Sequence, residues 1–246
     1  MSEMLRVLDR GYELIWREDR VEDALRGLGE DFEWIVPEHP DGARRRGPDA
    51  AIEFFRDWTS QFDDLEVNWK LEDIGAGRAL ALTSTTGRGR LSGAPVEMQF
   101  AQLWTFRDGR FVRMVMADTP LAAIMRDSNE VLHVEGVEAL LRFYTEDIVW
   151  EDDPDWPDAA VWRGHEGVRR ALGERFDATS IAVELEDSLE RDGRILVLMR
   201  WRARGLGSGA TAELRPAMVV DFDGHLMSHV RFFLDRGRAR EMFEEA

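Results

Sequence analysis

The 246-residue chain sets 32 Lys and Arg against 49 Asp and Glu, a formal net charge of −17, and so acidic a polymer repels nucleic-acid phosphates and anionic lipid surfaces. It has no Cys and hence no disulfide, and no run of about 18 apolar residues that could span a bilayer. A hydrophobic fraction of 44%, with nine Trp and thirteen Phe, is enough core for two small domains and excludes a disordered chain.

Met1 to Trp16 has no secretory h-region, so the cytoplasm is the default location. Leu5, Leu8, Tyr12, Ile15 and Trp16 recur at helical spacing and predict a first helix. Val21, Ala24, Leu25 and Leu28 predict a second over residues 20–28. A short strand carries Phe32 and Trp34, a Pro37–Pro40 turn follows, and the basic run Arg44-Arg45-Arg46 reads as a solvated turn. A third helix covers residues 49–62. The period then becomes two: Leu65 to Leu71 alternates, residues 78–85 and 96–106 read as strands, and Asp108-Gly109 turns the chain into a return strand over 111–117.

From about residue 125 the order repeats. Leu140, Leu141 and Phe143 lie in a helix, Trp150 on a strand, residues 168–176 in a helix, and strands follow over 181–189, 195–204, 211–222 and 226–234. Asp31-Phe32-Glu33-Trp34 leads to Arg46-Gly47, and Asp147-Ile148-Val149-Trp150 leads to Arg163-Gly164. The Trp-to-Gly spacing is 13 residues in the first copy and 14 in the second. An internal repeat at this scale divides the chain into domains of residues 1–125 and 126–246. No Gly/Ser linker separates them, so an internal pseudo-dimer packed sheet against sheet is expected, with a further homodimer left open.

Two helices, an acid- and tryptophan-bearing strand, an Arg-Gly turn into a third helix and then a run of antiparallel strands resemble the nuclear transport factor 2-like superfamily. Its members include SnoaL-like polyketide cyclases, ketosteroid isomerase-like proteins and limonene epoxide hydrolase-like enzymes. The resemblance covers essentially the whole chain, twice. It implies an α+β fold of two tandem cones, each with about three helices on a curved, mainly antiparallel sheet around a blind pocket. It does not imply one reaction.

What the resemblance implies for sites differs between the copies. The isomerase base lies in a Glu-Asp-Pro context similar to Glu151-Asp152-Asp153-Pro154, whereas the first copy has Val36 at that position. The oxyanion tyrosine is matched by Tyr12 and, at the same spacing, by Ser128; the oxyanion acid falls on Gln102 and Met218. Neither copy holds the full set. SnoaL-like cyclases place an acid/base Asp just past the last strand, a position matched by Asp118 and Asp235. Strand alternation then puts His229, Arg231 and Phe233 on the face shared with Asp235, against Val112, Met114 and Met116 in the first copy. An epoxide hydrolase triad would need a second Asp beside Arg200 or Arg202, and the strand has none.

The catalytic candidates are therefore Asp235, His229 and Asp152. The substrate-contacting candidates are Arg231, Phe233, Trp150, Trp162, Trp201, Tyr12 and Asp118, and the second domain is expected to hold the working pocket while the first is degenerate. Each has a plainer reading: Asp235 as an N-cap, residues 151–158 as a solvated acidic turn, the tryptophans as core. His225 and His229 lack a third metal ligand, and no nucleophile elbow or phosphate loop occurs, so no metal or cofactor is expected. Two functions stand open: a cofactor-independent acid/base enzyme (isomerase, cyclase or related lyase or hydrolase) on a small, apolar, carbonyl-bearing molecule, or a ligand-binding or assembly module of the same fold.

Overall fold

The computed structural model describes residues 1–36, 43–205 and 209–245; the Pro37–Pro40 turn lies outside them. The chain divides into two compact units, Met1–Ala123 and Ile124–Ala246. In the first, helices α1 (Glu3–Trp16) and α2 (Val21–Arg26) lead into β1 (Glu33–Val36), β2 (Ala43–Arg46), α3 (Gly47–Thr59), β3 (Phe62–Gly75), β4 (Arg78–Gly89), β5 (Pro95–Arg107) and β6 (Arg110–Ala117). Met4, Leu8 and Tyr12, at i, i+4 and i+8, are the buried stripe of α1. They pack with Phe54 and Phe55 of α3 against Ala79, Ala81, Trp104 and Met114 of the sheet. The strand order is β2-β1-β6-β5-β4-β3. β1 pairs with β2, and β3 through β6 pair in succession, all antiparallel; β1 joins β6 in parallel, which makes the sheet mixed and leaves β2 and β3 at its edges.

The second unit repeats this plan with α4 (Pro120–Val134), α5 (Val137–Leu140), a 3-10 turn, β7 (Tyr144–Glu151), β8 (Val161–Arg163), α6 (Gly164–Ala178), β9 (Thr179–Arg191) and β10 (Arg194–Gly205). It finishes with β11 (Thr211–Leu214), β12 (Ala217–Asp223), β13 (Leu226–Phe233) and α7 (Arg236–Glu244). One strand expected over 211–222 is two, because Pro216 has no N–H for the ladder. Both pieces still pair with β10, and the Pro216 carbonyl accepts from Met199 N at 3.0 Å. No helix among the described residues is long and apolar enough to cross a membrane.

The repeated Arg-Gly step has a backbone cause. Gly47 and Gly164 open α3 and α6 with φ of +78° and +65°, values that a Cβ disfavours. A Cβ there would also lie 3.1 Å from the Glu30 carbonyl oxygen and 3.2 Å from that of Glu146. The arginines end the short strands β2 and β8, which pair with β1 and β7 and bring the third helix of each unit over its sheet.

Candidate functional site

The first unit encloses a cavity of about 590 Å³ between its helices and the inner face of its sheet, within the size range of small-molecule sites. Aromatic rings recur around the wall, among them Tyr12, Trp34, Phe54, Trp58, Phe100 and Trp104, joined by Met114 and Met116. Charged lining residues among those described, Glu3, Arg6, Arg10 and Asp23, are all exposed at the rim. Thr83, Thr85 and Gln102 bring polar groups inside. Thr83 already donates to the Phe100 carbonyl at 3.3 Å.

Tyr12 centres the polar cluster. Its hydroxyl donates to Gln102 Oε1 and accepts from Trp104 Nε1 at 3.3 Å, while its ring stacks on Trp69 at 5.5 Å. Burial pushes the phenol well above its ordinary range, and the smaller opposing influence of the Trp104 hydrogen bond does not offset it. Tyr12 is therefore a neutral hydrogen-bond donor across the physiological range. The sequence had set Gln102 aside because an amide cannot replace a buried acid. Its pairing with Tyr12, 90 residues away, comes only from the sheet register.

In the second unit the equivalent space has shrunk to about 70 Å³. Positions 116 residues apart explain it: Thr83 gives way to Met199, Thr85 to Trp201, Gln102 to Met218 and Met116 to Phe232. Trp201 and Phe232 lie 5.0 Å apart, and Trp156, from the acidic turn, stands edge-on to both at 6.1 and 5.5 Å. Ser128 takes the place of Tyr12 and donates to the Met125 carbonyl at 2.8 Å. The expected assignment, an open pocket in the second unit and a degenerate first, is thus reversed in volume.

Trp150 and Trp201 line the small cavity; Asp235, His229, Asp152, Arg231 and Phe233 do not. Asp235 caps α7, its Oδ1 accepting from Gly237 N at 2.6 Å and Arg238 N at 3.1 Å. Phe233 packs under that helix with Leu196, Leu198, Val219 and Phe243. Val230 faces the cavity, so its neighbours His229 and Arg231 take the opposite face. There the His229 Nδ1 accepts from Arg231 at 2.9 Å, while its Nε2 lies 3.0 Å from Glu151 but out of line for a hydrogen bond. Arg231 and Arg194 both hold Asp221. Burial pushes the Asp221 carboxyl up, and the two guanidiniums together outweigh it and hold it below the usual carboxylate range.

Asp152 is committed to structure: it accepts from the indoles of Trp150 (3.1 Å) and Trp162 (2.8 Å) and from Ala160 N (3.3 Å). Its neighbour Asp153 is the buried acid of the turn, holding Leu234 N and Asp155 N at 2.9 Å each. Asp118 is exposed. Of the expected site residues, the structure brings only Tyr12 to the large cavity. No group of three or more His, Asp or Glu among the described residues converges to hold a metal ion.

A family model described as SnoaL-like domain matches residues 8–114 and again residues 125–230. No curated protein matches the sequence. Solved structures similar in fold include an NTF2-like protein of unknown function from Burkholderia pseudomallei, at 18% identity over 51% of this chain and 96% of that one, TM-score 0.44. Another is a Mycobacterium tuberculosis protein in complex with estradiol-17β-hemisuccinate, at 18% identity over 48% of this chain and 96% of that one, TM-score 0.42. TerC co-crystallised with polyporic acid matches at 16% identity over 51% and 99%, TM-score 0.43.

Proposed function

Because the chain belongs to the SnoaL-like domain family, a fold that commonly binds small molecules and includes cyclases and isomerases, we propose that its first domain is a binding pocket for a small, largely apolar molecule. The single observation carrying this is the aromatic-walled cavity of about 590 Å³ with the Tyr12–Gln102 pair inside it. The walls supply apolar burial and ring contacts, worth roughly 25 cal/mol per Å² removed from water. Tyr12 and Gln102 orient the bound molecule by its polar atom. The second domain is a filled copy whose role is structural.

A second reading, acid/base chemistry on a bound carbonyl, is favoured by the neutral, buried Tyr12 hydroxyl, which could polarise such a group. Binding alone needs fewer parts and is the reading adopted. Its test transplants the second domain's filling residue into the first. Thr85→Trp puts an indole where Trp201 stands in the other copy. Neutral polycyclic ketones should raise the melting temperature of the native chain and leave that of the variant unmoved. Equal stabilisation of both proteins would overturn the assignment of the pocket to the first domain.

A further inference from the structure

Thr85 carries a hydroxyl for which the fold has no use. The residue is 2% exposed, and its oxygen makes no hydrogen bond among the described residues. A hydroxyl held from bulk water without a partner is costly, and Val would fill the same space. The oxygen is nevertheless not shut in. Thr105 of β5 has an unpaired hydroxyl that is fully enclosed, whereas the unpaired hydroxyl of Thr85 keeps some contactable surface. Ser84 and Thr86 stand exposed on the outer face of β4 while Thr85 lines the large cavity, so that surface is cavity wall.

The strand register sets Thr85 well apart from the Tyr12–Gln102 pair. On adjacent strands Gln102 lies opposite Ala81 and Met98 opposite Thr85, with no bulge between. Ala81, Thr83 and Thr85 share one face, and four residues at about 3.3 Å each put the two polar positions about 13 Å apart along the sheet. Phe100, with Trp58 edge-on to it at 6.3 Å, occupies the strand position between them, opposite Thr83, whose own hydroxyl is turned to the Phe100 carbonyl. At the far end Gln102 is only half-buried between the buried Ala101 and Leu103, and its amide nitrogen donates to the weak acceptor Met116 Sδ at 3.7 Å. Where the second domain fills this space, both polar positions are lost together, Thr85 to Trp201 and Gln102 to Met218.

Building on the pocket reading above, we propose that Thr85 is a specificity-determining residue of the first-domain pocket, which takes an elongated, ring-built molecule with an oxygen at each end: one met by Gln102, the other by the Thr85 hydroxyl. A threonine hydroxyl both donates and accepts, so the oxygen at its end belongs to a hydroxyl or a carbonyl. Both ends are uncharged, because the described charges of the lining stand exposed at the rim and leave a buried ionic group without a counter-charge.

The test uses the full chain and two probes of one shape, 4,4′-dihydroxybiphenyl and 4-hydroxybiphenyl, titrated by calorimetry into the native protein, Thr85→Val and Thr85→Ser. One neutral hydrogen bond is worth on the order of tenfold in affinity, so the native chain should bind the diol about tenfold more tightly than the mono-ol. Thr85→Val should erase that advantage and keep the mono-ol affinity within about twofold, since only the bond at the Thr85 end is removed. Thr85→Ser retains the hydroxyl and should retain the advantage. An advantage missing from the native chain, surviving in Thr85→Val, or lost equally in Thr85→Ser would overturn the proposal. Because the hydroxyl has no partner in the fold, Thr85→Val should melt no lower than the native chain, and a clear drop would make it a structural group and overturn the assignment. 9-Fluorenone, with its single oxygen, separates the two ways of failing. If it binds the native chain and the diol shows no advantage, this proposal falls alone; if neither it nor the biphenyls bind, the pocket reading falls and takes this proposal with it.

Discussion

Replacing Asp235 with Ala separates a cap from a catalyst. The structure gives this side chain two backbone donors, Gly237 N at 2.6 Å and Arg238 N at 3.1 Å, at the start of α7. Loss of an N-cap costs about 1 kcal/mol, and loss of a negative charge at a helix N-terminus adds about 0.3–1 kcal/mol. The expected total is about 1–2 kcal/mol, borne by a helix that docks through Ala239 and Phe243 on the cluster of Leu196, Leu198, Ala217, Val219 and Phe233. Since about 1.4 kcal/mol is a factor of ten in an opening equilibrium, amide protection in the last turns of α7 should fall about tenfold or more in Asp235→Ala. Asp235→Asn keeps the acceptor and should lose only a few tenths of a kcal/mol. Hydrogen exchange on the full chain reads the helix, and calorimetric titration with 9-fluorenone reads the first-domain pocket, which both variants should leave intact. Unchanged protection in Asp235→Ala would refute the capping account, and lost ligand binding with α7 protection intact would return Asp235 to a site.

Asp221→Asn should lower stability at neutral pH and flatten the acid limb of the stability profile. A carboxyl whose folded pKa is depressed contributes stability above its unfolded value of about 4, and loses it as the pH falls through the folded pKa. Urea midpoints between pH 7 and pH 2.5 read both effects, and a parallel pair of profiles would contradict the ion-pair geometry. Gly164→Ala forces a φ of +65° on a residue with a Cβ and brings that atom to 3.2 Å from the Glu146 oxygen; a loss of about 1–2 kcal/mol in urea melts is expected. Asp152→Ala removes the carboxylate that accepts from the Trp150 and Trp162 indoles and should cost about 2 kcal/mol or more. Ligand affinity in the first domain should not change, and a change there would contradict the separation of roles.

The repeat was legible in the sequence because its markers are local: a glycine that must take positive φ, an arginine before it, a tryptophan about one loop upstream. Helical and strand periods placed most elements for the same reason, since burial of one face imprints the spacing directly on the chain. Gly47 and Gly164, and Leu8 with Tyr12, needed no knowledge of distant residues. The side of β13 that faces the cavity was not local. Ser228 is an extra residue against β12, a bulge between the His229–Asp221 and Met227–Phe222 pairs, just as Val112 is against β5. Counting by twos back from Asp235 ran on the wrong phase, since Asp235 belongs to a helix cap and a bulge exists only relative to a partner strand. Which cone stays open was equally beyond local reading. It is set by the summed volume of Tyr12, Thr85, Gln102 and Met116 against Ser128, Trp201, Met218 and Phe232, side chains far apart in the chain that meet only when the sheet folds over its helices. Packing acts on the whole enclosed space at once, so emptiness at one position is decided by every other residue that faces it.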